Sequence, residues 1–146
     1  MALTVLSAIR REPAWVEQGV AEMDRAVALR PTSRRARLTR AFTSINLPPT
    51  LRNTQGISED FAFLLRIAEG DRAADVMLIA LGDLHAEVGQ AARARHEYER
   101  ADRPGSVTQY EAQLRLAALD RGDFPTSEVA RLRSRLAGDC KMCHAE

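Results

Sequence analysis

Apolar residues recur along most of this chain at intervals of three and four, the spacing of one face of an α-helix. The clearest run lies between Leu78 and Ala101. Leu78, Leu81, Gly82 and His85 share one face of a first segment, and Ala94, Tyr98 and Ala101 share one face of a second. Val88, Gly89 and Gln90 stand between them as a turn. The pattern predicts two antiparallel helices. Gly82 and Ala94 are small enough to let them approach closely, while Leu78, Leu81, Tyr98 and Ala101 fill the space around that approach. No stretch alternates with a period of two and no Asn-Gly or Asp-Gly turn occurs, so strands are not expected.

The same intervals laid from the start select Leu3, Leu6 and Ser7, then Gly19, Met23 and Ala26, with Pro13 in the first turn of the second helix and Pro31 ending it. Two further hairpins are less regular. One runs from Ser33 to Ile45 and resumes from Ser58 to Glu69, after a loop holding Pro48, Pro49 and Gly56 that must bulge outward. Ser58 is its expected N-cap, with Phe61, Leu64, Leu65 and Ala68 on one face behind it. The last hairpin runs from about Val107 to Ala137 and turns at Gly122-Asp123-Phe124-Pro125. Its second helix carries Val129, Leu132 and Leu136 at helical spacing, and Gly138 is placed to cap it.

On these residues the chain resembles the tetratricopeptide repeat, in which large, small and aromatic residues alternate in this order over two helices. His85 stands where the family has Tyr, and Ser106 where it has Pro. The resemblance implies an all-α fold, a solenoid of stacked antiparallel hairpins with about eight helices over residues 1–137, followed by a tail at 138–146. The second hairpin would exceed the 34-residue period by about seven residues.

Composition narrows the function classes. Apolar residues make up 45% of 146, ordinary for a globular chain and against disorder. No apolar run approaches the roughly 20 residues of a membrane span. With 21 basic and 20 acidic residues, the whole molecule carries no nucleic-acid or membrane signature. The segment Met1–Ile9 is apolar but lacks a basic lead-in and a cleavage site, so the chain as written reads as cytosolic.

The two cysteines of the chain fall in Cys140-Lys141-Met142-Cys143-His144. Cys-x-x-Cys-His resembles the haem-attachment site of c-type cytochromes. The resemblance implies one covalent haem c, with Cys140 and Cys143 in thioether bonds to its two vinyl groups and His144 as the axial ligand of the iron. It also implies a periplasmic or extracellular location, against the cytoplasmic one that a bare chain suggests. His85, His96 and Met77 are the candidates for the distal ligand. Each has an ordinary role besides: His85 fills an aromatic packing position, His96 sits between Arg95 and Glu97 as a solvated residue, and Met77 fills the core. Three other readings of the tail stay open. Zinc could take both thiolates and His144, although a closed site wants a fourth ligand. A dithiol redox pair lacks a surrounding βαβ pattern, and an inert, frayed terminus needs no chemistry at all.

Charge is uneven locally. No acidic residue occurs from Arg25 to Ser58, while Arg25, Arg30, Arg34, Arg35, Arg37, Arg40 and Arg52 fall there. Arg34, Arg35, Arg37 and Arg40 are the candidate partner-binding residues, suited to a carboxylate or phosphate on a protein partner. The alternative is a solvated face balanced by Glu59, Asp60 and Glu69. Without interleaved aromatics these arginines do not suggest nucleic acid. No phosphate loop, His-Glu-x-x-His pair or nucleophile elbow is present. The sequence thus points to a non-enzymatic electron carrier or scaffold in a redox assembly, with a cofactor-free adaptor that binds other proteins as the rival.

Overall fold

The computed structural model describes residues 13–68 and 72–122, and all the regular structure among them is helical. There are six α-helices in the described residues, against the eight or so expected. They are α1 (Pro13–Leu29), α2 (Arg34–Ser44), α3 (Thr54–Ile67), α4 (Arg72–Glu87), α5 (Ala91–Ala101) and α6 (Gln109–Asp120). Leu3, Leu6 and Ser7, Glu69, the second helix of the last hairpin and the 138–146 tail all lie outside the described residues. The chain divides into two compact units, 1–67 and 68–146.

In the first unit α2 packs against both α1 and α3. Met23 and Val27 of α1, Ala41 of α2, Ile45 at its C-cap, and Ile57, Phe61 and Leu64 of α3 form the core. Phe42 meets Phe61 edge to face, with ring centroids 5.3 Å apart, a geometry that sets the positive ring edge against the negative face. On α1 the buried stripe is Gly19, Met23 and Val27, not Gly19, Met23 and Ala26. A constant step of four turns valine inward, and valine withdraws more apolar surface from water than alanine would. Pro31 does follow the end of α1, whose last residue is Leu29.

Helix α2 starts behind Ser33, whose hydroxyl accepts from the Ala36 amide at 3.2 Å. Helix α3 begins four residues earlier than the sequence suggests. Its cap is Asn53, whose Oδ1 accepts from the Gly56 amide at 2.9 Å, while Ser58 is already inside the helix and donates to the Thr54 carbonyl at 3.0 Å. Gly56 therefore belongs to the first helical turn rather than to the loop. A side chain there would come within 2.9 Å of Asn53 Nδ2, so the glycine makes room for the cap. The loop itself contains a 3-10 turn, Pro49–Leu51, and Arg52 closes it by donating to the Leu47 carbonyl.

In the second unit α5 packs against both α4 and α6. Helix α4 is apolar around nearly its whole circumference and is buried accordingly, from Ala73 to Ala86. The α4–α5 pair turns at Val88-Gly89-Gln90, with Gly89 at φ 76°, where glycine alone avoids a steric penalty. Leu78, Leu81, Ala94, Tyr98 and Ala101 are all buried. Gly82 lies directly beneath the Tyr98 ring: a Cβ there would sit 2.6 Å from Cδ1, with Cε1 closer still. The close approach read from the spacing is thus an aromatic ring laid on a bare backbone.

Candidate functional site

The chemistry-bearing residues in the described chain form three sets. The first is the α2 arginines. Arg40 grips Asp60 with two parallel bonds, Nε to Oδ2 at 2.6 Å and Nη2 to Oδ1 at 2.8 Å. Its Nη1 donates to Asp24 Oδ1 at 2.8 Å. Arg37 Nη1 donates to Asp60 Oδ1 at 2.6 Å and its Nε to the Pro31 carbonyl at 2.6 Å. Asp60 is wholly buried, so a single carboxylate of α3 holds two guanidinium groups of α2, and through Arg40 also reaches α1. The hydrogen bond to Asp60 is the main reason that the Arg40 pKa is raised, against the lowering effect of burial. Arg37 also stacks its guanidinium 4.5 Å from the centre of the Phe63 ring, and Arg66 lies over the same ring. Arg37 and Arg40, both candidate partner-binding arginines, are therefore engaged inside the unit. Arg34 and Arg35 occupy exposed positions.

The second set was not foreseen. Asp83, on the buried helix α4, is wholly buried and receives Arg115 from α6, Nε to Oδ1 at 2.6 Å and Nη2 to Oδ2 at 3.0 Å. The Tyr98 hydroxyl of α5 donates to the same Oδ1 at 2.8 Å. The Arg115 side chain, 2% exposed, uses its remaining Nη1 on the Glu111 carboxylate and carbonyl. Burial by itself disfavours the charged guanidinium, but the Asp83 charge and hydrogen bonds outweigh it and leave the pKa raised. One carboxylate thus ties together the three helices described in this unit. Nearby, Asp75 of α4 is buried and accepts from Arg103. The sequence did hold a signal: a helix apolar all round has no solvent face, so Asp75 and Asp83 within it need buried partners.

The third set is the candidate distal ligands. Met77 is buried at 1% exposure. His85 is half-buried at the end of α4 rather than packed in the core, and its Nδ1 lies 3.0 Å from Gln90 Oε1, which also accepts from Arg93. Burial lowers the His85 pKa, partly offset by the Gln90 hydrogen bond. His96 is exposed on α5. These three are not gathered at one point, and no group of three or more His, Cys, Asp or Glu residues is placed to hold a metal ion among the described residues. Cys140, Cys143 and His144 lie outside them. No helix among the described residues is long and apolar enough to cross a membrane.

The arrangement makes the buried carboxylates structural rather than reactive. Asp60 and Asp83 are each neutralised by arginine at bonding distance, and neither is presented to solvent. Comparison with known proteins gives no significant match to a family model, a curated protein or a solved structure.

Proposed function

We propose that this chain is a helical-hairpin protein of tetratricopeptide type that carries one covalent haem c at its C-terminal end, as an electron-transfer or scaffold subunit of a larger redox assembly. The observation that carries the reading is the sequence Cys140-Lys141-Met142-Cys143-His144, which contains both cysteines of the chain. Its spacing suits two thioether bonds with an adjacent axial imidazole. The bound group would supply a one-electron iron couple. Cys140 and Cys143 would hold it against dissociation, and His144 would bind the iron on one side. His96, already at the surface, is the described candidate that needs least rearrangement to take the other side. His85 must first give up Gln90, and Met77 must leave the core. Thioether attachment would put the mature protein in the periplasm or outside the cell; a bare chain would belong in the cytoplasm. The tetratricopeptide assignment is supported by the α4–α5 hairpin, where Gly82, Ala94 and Tyr98 occupy the positions that the spacing required.

The test is the intact mass of the protein produced with a haem-attachment system and then denatured. An excess of one haem, lost in Cys140→Ser/Cys143→Ser, supports the reading, and a mass equal to the bare chain overturns it. In the second case the remaining reading is a cofactor-free adaptor. The exposed position of Arg35 favours it, because it can meet an acidic segment of a partner without disturbing Asp60.

A further inference from the structure

Helix α3 ends in a corner where charge and apolar surface stand side by side. Phe63, Arg66 and Ile67 are three and four residues apart and so share one side of the helix. The Phe63 ring is half-buried, with the Arg37 guanidinium of α2 4.5 Å from its centre and that of Arg66 5.8 Å from it. Ile67 stays 50% exposed. Both cations have donors to spare. Arg37 uses Nε on the Pro31 carbonyl and Nη1 on Asp60, which leaves its Nη2 without a bond among the described residues. Arg66 is exposed and has no carboxylate partner among them. The nearest acid on the same side of α3, Glu59, lies about two turns back and accepts from Gln55 at 2.9 Å.

We propose that this corner of α2 and α3 binds an acidic peptide segment of a partner protein, with a carboxylate on the Arg66 and Arg37 donors and a neighbouring aliphatic side chain on Ile67. Charge sets the sign of the partner. The described part of the first unit holds eight arginines against five acidic residues, and two of those acids, Asp24 and Asp60, are already engaged by Arg37 and Arg40. A positive excess is left for the surface, and a carboxylate is the group that a guanidinium receives best. Phe63 restrains both guanidinium groups against its ring, and a planar cation already held in place loses little freedom when it takes up an anion. Ile67 supplies what charge alone lacks. Covering it with an aliphatic side chain removes apolar surface from water and favours an acid beside a large aliphatic residue over a bare polyanion. Binding here rests on the scaffold or adaptor reading, in which the chain meets another protein, and needs neither cysteine.

The full chain is titrated into a fluorescein-labelled peptide of repeated Asp-Glu-Leu, and binding is read by fluorescence polarisation at physiological salt. Arg66→Gln should weaken binding about tenfold, the loss expected for one charged hydrogen bond. Ile67→Ser should weaken it about fivefold, and so should exchange of Leu for Ser in the peptide. Arg35→Gln, outside the corner, should leave the affinity within about twofold of wild type. Circular dichroism shows whether each variant keeps its helices. Arg66→Lys stands in for one that does not, and should still weaken binding because lysine keeps the charge but has no planar fork. Binding that falls in Arg35→Gln and ignores Arg66→Gln and Ile67→Ser would overturn this surface and leave the adaptor reading in place. Equal binding of the Ser-substituted peptide would also overturn it, and no binding by wild type would count against both. Attachment to phosphatidylserine vesicles in place of the peptide would overturn it in favour of a membrane surface.

Discussion

Replacing Asp83 by asparagine isolates the charge at the centre of the second unit. The substitution keeps the side chain's size and lets its amide oxygen accept from the Tyr98 hydroxyl, but its NH2 group then faces the Arg115 guanidinium. Arg115, 2% exposed, would be left with Glu111 as its counter-charge. Removing one member of a buried ion pair costs about 3–5 kcal/mol, here toward the lower end because Glu111 still faces the buried guanidinium. That is more than a hundredfold in the folding equilibrium, and a large share of the roughly 5–15 kcal/mol that holds a domain together. With an m-value of about 1.5 kcal/mol/M, the urea midpoint should fall by about 2 M or more. The decisive comparison is with both charges removed. Asp83→Leu with Arg115→Met, and Tyr98→Phe to avoid an orphaned hydroxyl, should lie within about 2 kcal/mol of wild type, far above the sum of the single changes. The assay is equilibrium urea unfolding followed by far-ultraviolet circular dichroism. A midpoint for Asp83→Asn close to that of wild type, or single effects that simply add, would refute the claim that the pair is buried and interdependent.

Three other outcomes follow from the same geometry. Gly82→Ala should destabilise by about 1–2 kcal/mol in thermal or urea unfolding. The clash with the Tyr98 ring costs about 1–3 kcal/mol and the helical preference of alanine returns up to about 1 kcal/mol; Tyr98→Leu in the same chain should reverse the sign of the Gly82→Ala effect. Asn53→Ala should cost about 1 kcal/mol through loss of the α3 cap, whereas Ser58→Ala should change stability by no more than a few tenths, which unfolding of the two variants side by side will show. His85 has a folded-state pKa below its ordinary 6.5, so the unfolded chain binds its proton first. Its contribution is complete above that value and is lost as pH falls below it toward the folded pKa. Melting temperatures measured from pH 7.5 downward should therefore decline less steeply in His85→Gln.

What the sequence made legible was periodicity. The α4–α5 hairpin could be read because Gly82, Ala94 and Tyr98 obey a steric rule that leaves few other residue choices. The start of α3 could not. Proline at 48 and 49 and glycine at 56 read as one continuous loop, and Ser58 offered a hydroxyl at a plausible boundary. Which of two neighbouring side chains caps a helix is decided by local backbone geometry that residue types alone do not reveal. The α1 stripe shifted from Ala26 to Val27 for a related reason, since steps of three and four both fit a helix and only the facing residues choose between them. The arginines were legible as a charge imbalance but not as a network. Their partners are 16 to 23 residues away in sequence, and a run free of acidic residues looks like a solvated patch until the fold brings Asp60 beneath it.

The Asp83–Arg115 bond also bears on how the second unit assembles in time. Its two ends are 32 residues apart, on α4 and α6. A nascent α4–α5 hairpin already offers the Tyr98 hydroxyl to Asp83 but lacks the guanidinium. Until α6 arrives, the carboxylate must keep its water, which holds the partly built hairpin ajar. The hairpin alone is thus a poor resting point, and the arrival of α6 both closes the core and discharges the waiting acid. Refolding of this unit should accordingly proceed without a stable two-helix stage.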